Sequence, residues 1–205
     1  ILQVGHIEHF NPAVIAAKKY ITTPRFIEVR RLGPFDPRMA NVGVVLDLMI
    51  HDLDIILQLV HANIQELDAV GTPILSPYED IANARIKFAN NCVADISASR
   101  VTLQRYRYIR IFQPDSYISL DYAERKLKIY RKKTAVINNL TDIEIITPEI
   151  DKSEPLDQEL RHFITCIQTG AQPLVTGEKA RDALHVALEI LQKIRRNNEQ
   201  PESNR

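Results

Sequence analysis

ANARIKFANNCVADISAS (Ala82–Ser99) alternates with a period of two on both sides of an Asn-Asn step. Ala82, Ala84, Ile86 and Phe88 fall on one side of an extended chain, and Asn83, Arg85 and Lys87 on the other. After the turn signal at Asn90-Asn91, Cys92, Ala94, Ile96 and Ala98 alternate with Asp95, Ser97 and Ser99. Successive side chains of a strand point to opposite faces, so the stretch reads as a hairpin with one face buried.

Working outward, the same period runs from Ile64 to Ile146. It predicts strands at Tyr106 to Phe112, Tyr117 to Asp121, Lys126 to Arg131 and Thr134 to Ile146, the last broken near Asn138-Asn139 and closed by Pro148. Short connections make the sheet mostly antiparallel. Upstream, FIEVRRL (Phe26–Leu32) reads as a strand, and so does the apolar run Ile1 to Ile7. Asn11-Pro12 starts a helix reaching about Ile21, with Asn11 as N-cap. Downstream, Leu156, Leu160, Phe163, Ile164 and Ile167 share one helical face, and Gly170 ends that helix. Ala180, Ala183, Leu184, Ala187, Leu188 and Leu191 form another face, capped by Thr176. The expected fold is α+β: one large, mostly antiparallel, open-faced mixed sheet with helices on one face. Residues 1–196 make the domain and 197–205 a frayed polar tail.

Composition narrows the function. The 205 residues are 45% apolar, as in a globular chain with a sizeable core. Lysine plus arginine equals aspartate plus glutamate, 26 each, so no global field draws the chain to nucleic acid or an anionic membrane. Cys92 and Cys166 lie far apart without a CxxC spacing. That removes a metal knuckle, leaves a disulfide open, and favours two buried thiols in a cytoplasmic protein. The start, ILQVGHI, carries no charged n-region or cleavage site. It is read as a strand at the edge of a piece cut from a longer protein.

Between Val42 and Val60 lies a segment that is apolar almost all the way round, read as a helix from about Ala40 to Val60. At about 100° per residue, Asp47, His51, Asp54 and Gln58 fall within roughly 60° of one another. A helix apolar on most sides is packed on most sides, so this narrow polar line is expected to face a cleft. Asp47 and His51, at i and i+4, can touch; the carboxylate would hold the ring and raise its proton affinity. The pair has the chemistry of a general acid/base. The competing reading is a thin solvated seam with an ordinary ion pair. A metal site built on His51-Asp52 is disfavoured, because Asp52 points about 100° away from His51.

Tyr106, Tyr108, Tyr117, Tyr122 and Tyr130 fall among Arg100, Arg105, Arg107 and Arg110 in the strand region. Alternating Tyr and Arg suits a homo-oligomer interface on the open sheet face first, a solvated face second and a nucleic-acid platform third. All six glycines are isolated, with neither GxGxxG nor GxxxxGK[ST], so the chain lacks the usual means of holding a dinucleotide.

VGHIEHFNPAV (Val4–Val14), RRLGPF (Arg30–Phe35) and DLMIHDLD (Asp47–Asp54) occur in that order, followed by closing helices over Glu154–Ile190. Together they resemble the carboxyl-terminal domain of the glucose–fructose oxidoreductase/inositol dehydrogenase family (Gfo/Idh/MocA). The resemblance implies a dihydrodipicolinate reductase/glyceraldehyde-phosphate dehydrogenase-like domain that follows an amino-terminal Rossmann domain binding NAD or NADP. It also implies that the Asp and His of DxxxH, here Asp47 and His51, orient the base and take a proton from a sugar hydroxyl. Substrate contacts carried over are Glu8, His9 and Asn11, then Arg30 and Arg31. His9 stands where many relatives have arginine. The wording of these motifs is most similar to members acting on nucleotide-activated amino sugars. A non-catalytic oligomerisation or binding module on the same fold is the alternative.

Overall fold

The computed structural model describes residues 1–199. Eight strands are ordered β2-β3-β4-β1-β5-β6-β7-β8 in one sheet. They are β1 (Phe26–Leu32), β2 (Ile64–Thr72), β3 (Ile81–Phe88), β4 (Val93–Ser99), β5 (Tyr106–Phe112), β6 (Ser116–Asp121), β7 (Lys126–Lys132) and β8 (Ile143–Ile146). Helices are α1 (Pro12–Lys18), α2 (Ile50–Val60), α3 (Pro155–Thr169) and α4 (Gly177–Glu199). Within β2–β3–β4 and within β5–β6–β7–β8 neighbouring strands are antiparallel. Gly33 N–H, just past the end of β1, donates to Ser99 O at the end of β4 (2.9 Å), the parallel sense that makes the sheet mixed. The α+β expectation holds.

The chain forms two compact units. The first comprises residues 1–28 and 107–180. Here α1 lies against β6 and β7. Ile109, Ile111, Ile118, Leu120, Leu127 and Ile129 point into the core, at most 2% exposed. Asn11 caps α1 as expected, its Oδ1 accepting from Ala13 N–H at 3.0 Å. The opposite sheet face carries a run of rings: Phe26 against Phe112 (5.8 Å), Phe112 on Tyr117 (4.9 Å), Tyr117 on Tyr130 (5.3 Å). Tyr122 does not join it, being 5% exposed.

Three expectations in this unit are corrected. Ile1 to Ile7 is not a strand: Val4 N–H reaches Val175 O, but His6 N–H turns back onto Val4 O and a 3-10 turn begins at Ile7. A strand needs a ladder partner, and apolar sequence does not supply one. Thr134 to Ile146 shrinks to β8, because Asn139 and Asp142 form a capping box around a 3-10 turn. On α3, Leu156, Leu160, Ile164 and Ile167 are 52–56% exposed, while Glu159 and Cys166 are buried. The smaller, more polar side of that helix faces inward.

Among the described residues, the second unit comprises 29–106 and 181–199. Ala82, Ala84, Ile86, Phe88, Ala94, Ile96 and Ala98 are buried to 1% or less, as the alternation required. Part of α4 covers the edge strand β2, with Asn197 and Asn198 donating to Ala69 O (2.9 Å) and Gly71 O (3.2 Å). The tail expected from 197 onward is therefore helix up to Glu199; residues 200–205 lie outside the described residues. On α4, Ala183, Val186, Ala187, Ile190 and Ile194 are buried whereas Leu184 and Leu188 stay over 40% exposed. Alanine lets the helix approach closely, and the leucines fall to its flanks. Cys92 and Cys166 are both buried free thiols.

Candidate functional site

The helix bearing Asp47 and His51 does not start at Ala40. Pro37–Met39 forms a 3-10 turn, capped by the Asp36 side chain on Arg38 N–H. The regular helix begins with a π-turn over Val45–Met49 before α2 takes over at Ile50. Arg100 ties down the segment ahead of the helix. Its Nη1 donates to Met39 O and Val42 O at 2.7 Å each, carbonyls that a continuous helix would need for its own N–H groups.

The π-turn is closed by Ile50 N–H on Val45 O. Asp47 lies inside it and His51 just beyond. Such wide turns are rare in helices and recur at functional sites. Asp47, His51 and Gln58 are half-buried; Asp54 is 2% exposed and accepts from Gln58 Nε2 at 3.2 Å. Of the four residues of the polar line only Asp54 is fully buried, and the other three are partly accessible.

Arg30 and Arg31, adjacent on β1, point to opposite faces. Arg31 turns inward and holds Asp52 through Nε–Oδ2 (2.7 Å) and Nη2–Oδ1 (2.8 Å), next to His51 in sequence. Arg30 lies on the other face, where Nη1 donates to Asp95 Oδ1 and Ser97 Oγ, both at 2.7 Å. Asn83 Nδ2 joins the same Asp95 and Ser97 at 3.1 and 2.9 Å.

A second buried ion pair lies near the helix start. Arg100 Nε donates to Asp80 Oδ1 at 2.6 Å, and Asp80 Oδ2 accepts the N–H groups of Ile74, Leu75 and Ser76 at 2.7, 2.6 and 2.9 Å. Burial is the largest single influence on Asp80 and pushes its carboxyl up. The Ile74 N–H, the Arg100 guanidinium and the Leu75 and Ser76 N–H groups together outweigh it, and the carboxyl lies well below its ordinary range. A pocket of about 440 Å³ is lined by Gly43, Leu46, Glu79 and residues of α4.

In the first unit, Glu8, His9 and Asn11 share the turn leading into α1. Asn11 Nδ2 donates to Glu8 Oε2 at 3.1 Å and to Tyr122 O at 3.4 Å. His9 is 0% exposed, with Nδ1 3.5 Å from Lys18 Nζ. Glu8 keeps a half-buried carboxylate. On α3, Glu159 is 8% exposed and burial raises its pKa.

Sequence reasoning singled out Asp47, His51 and Arg31, but it did not foresee the ion pairs of Asp52 and Asp80 or the contacts of Glu79 and Arg100 with the helix start. Arg31 carried a usable signal, since a strand of alternating burial must send one of two adjacent arginines inward. The Asp80–Arg100 pair carried none, its partners being separated by a loop and two strands.

Comparison with known proteins follows the same lines. Residues 16–119 match the model of the GFO/IDH/MocA C-terminal domain. UDP-N-acetylglucosamine 3-dehydrogenase of Acidithiobacillus ferrooxidans is 32% identical over 191 residues, which cover 93% of this chain and 61% of that protein. The NAD(+) scyllo-inositol 2-dehydrogenase of Bacillus subtilis is 25% identical, over 92% of this chain and 58% of that protein. A solved structure of the Acidithiobacillus enzyme superposes with a TM-score of 0.90 at 30% identity, over 98% of this chain and 64% of that one. Levoglucosan dehydrogenase in complex with NADH and levoglucosan shares the fold: TM-score 0.81, 18% identity, 96% of this chain and 65% of that one. The chain thus spans about three fifths of the curated relatives it matches.

Proposed function

This chain belongs to the GFO/IDH/MocA family as one of its C-terminal domains, and from that premise we propose that it is the substrate-binding and catalytic half of an NAD(P)-dependent sugar or nucleotide-sugar dehydrogenase. His51 is the general base and Asp47 orients its ring. The observation that carries this reading is their setting on a π-turn-led helix, on a partly buried polar line. Identity to UDP-N-acetylglucosamine 3-dehydrogenase supports a nucleotide-activated amino sugar as substrate. Oxidation of an alcohol removes a hydride from carbon and a proton from oxygen. His51 takes that proton, and the Asp47 carboxylate stabilises the imidazolium.

The chain's own residues do not fit a dinucleotide, since its glycines are isolated and no phosphate-cradling loop occurs. NAD or NADP is therefore assigned to an amino-terminal domain of the whole protein, and the chain by itself is expected to be inactive. The exposed apolar stripe of α3 supports a further domain packing there. Among the other positions, Glu8 has the carboxylate suited to sugar hydroxyls. His9 and Asn11 hold its turn, while Arg31 and Arg30 fix β1 on its two faces.

In the intact protein, assayed with UDP-N-acetylglucosamine and NAD, His51→Ala should lower turnover by about 10²- to 10⁴-fold with the fold retained. Unaltered turnover would discard the role. The ring ladder through Phe112, Tyr117 and Tyr130 supports homo-oligomerisation through the open sheet face. Sedimentation of Tyr117→Glu tests it, dissociation being the expected result. A stable dimer lacking turnover in the intact protein would favour the non-catalytic module instead. Free buried thiols fit a reducing compartment, the cytoplasm. Among the described residues, no helix is long and apolar enough to cross a membrane.

A further inference from the structure

The helix that carries Asp47 and His51 is started by a residue far away in sequence. Val44 N–H donates to Glu79 O at 2.9 Å, and Val45 N–H donates to Glu79 Oε1 at 3.2 Å. A helix leaves its first four N–H groups without internal partners; here one glutamate takes two at the start of the π-turn. Asp47 N–H then bonds Gly43 O at 3.0 Å, so its backbone hangs from the same capped segment.

Glu79 is itself held from both sides. Its neighbour Asp80, 0% exposed, is locked by Arg100 and three backbone N–H groups. Arg100 also grips Met39 O and Val42 O, the carbonyls ahead of the helix. One buried ion pair thereby fixes both the segment that enters the helix and the residue that caps it. Gly43 completes the arrangement, because a methyl group there would overlap the Glu79 carboxylate.

We propose that Glu79 is a positioning residue for Asp47 and His51, its carboxylate setting the phase of the π-turn through Val45 N–H while the Asp80–Arg100 pair keeps it in place. This rests on the acid/base reading above. A π-turn holds one residue more than an α-turn. If the cap is lost, the start of the helix is free to unwind, and Asp47, whose N–H hangs from Gly43 O in that first turn, is no longer held in place one turn before His51. The carboxylate then no longer addresses the ring, although both side chains are still present.

The experiment uses Glu79→Ala, Glu79→Gln and Gly43→Ala in the intact protein, with UDP-N-acetylglucosamine and NAD as the assay. Glu79→Ala should lower kcat by about 10- to 100-fold, with KM changed by less than about twofold, as expected for misplacement of a reacting group. Glu79→Gln should restore kcat, since its amide oxygen still accepts from Val45 N–H. Gly43→Ala should reproduce the defect, and its effect should not add to that of Glu79→Ala, because both break one contact. A second readout needs no turnover. The His51 ring resonance, assigned by its loss in His51→Gln, should shift in Glu79→Ala and return in Glu79→Gln. An unshifted resonance, unchanged kcat, or a Glu79→Gln variant as impaired as Glu79→Ala each overturns the proposal. Retained turnover in His51→Ala would overturn the acid/base reading instead, and the two failures stay distinct.

Discussion

Arg31 and Asp52 meet through two parallel hydrogen bonds with their side chains only 5% and 1% exposed, joining β1 to α2 one residue past His51. A bidentate pair of this kind fixes direction as well as distance. Removing one partner strands the other charge in the core, at a cost of about 3–5 kcal/mol, whereas replacing both by apolar residues of similar volume is often neutral. Asp52→Leu should therefore lower the urea midpoint sharply, and Arg31→Met added to it should recover most of the loss. A double variant as unstable as the single one would show that the pair contributes more than mutual neutralisation.

Asp80 gives the second unit an acid-sensitive point. Its carboxyl is held well below the ordinary value near 3.9, despite the opposing effect of burial, by the Ile74, Leu75 and Ser76 N–H groups and by Arg100. A depressed pKa means that the folded state prefers the ionised form. The stabilisation is then fully present above about pH 4 and is lost as the pH falls through the folded value. Denaturation midpoints measured from pH 7 down to pH 2 should fall less steeply in Asp80→Asn than in the parent chain, from a lower starting stability. Parallel curves would remove Asp80 as the source.

Short-range pattern was readable and long-range closure was not. β1 and β5 lie on the residues that the alternation marked, and Gly170 stops α3 where expected. These depend on side chains within a few positions of one another. The segment that starts the helix bonds to Glu79, beyond β2, and to Arg100, beyond β4, and no local periodicity reports either contact. The same holds for Ile1–Ile7, whose strand-like composition lacks a ladder. The sidedness of α3 misled for another reason: its leucines and isoleucines announce an apolar face, but the chain buries Glu159 and Cys166. At the candidate site, the spacing of His51, Asp54 and Gln58 was legible because α2 fixes their angles, whereas the π-turn that carries Asp47 was not. The partner of Arg31 was not, because nothing local links position 31 to position 52.

Gly170 sits at φ 71° and ends α3 with its N–H on Cys166 O. Nothing lies within 4 Å of where a Cβ would stand, so a substitution meets no obstacle there except its own backbone. L residues pay about 1 kcal/mol in the left-handed region, asparagine less. Gly170→Ala should reduce stability by about 1 kcal/mol in urea denaturation, and Gly170→Asn by a smaller amount. Equal losses would show that asparagine's tolerance of the left-handed region gives no advantage here.

Glu159 points the other way from Asp80. Burial raises its pKa, so the folded state prefers the neutral acid. For a raised carboxyl, the favourable contribution is complete below the unfolded value, near 4.3, and disappears as the pH rises through the folded one; above that, the buried charge is a liability. Glu159→Gln keeps the shape and abolishes the ionisation. Thermal unfolding of the variant should therefore show a higher Tm than the parent at pH 7.5 and little difference at pH 4. If the gain is the same at both, ionisation of this side chain is not what the substitution relieves. If Tm falls at pH 7.5, the ionised carboxylate has a stabilising partner in the folded chain.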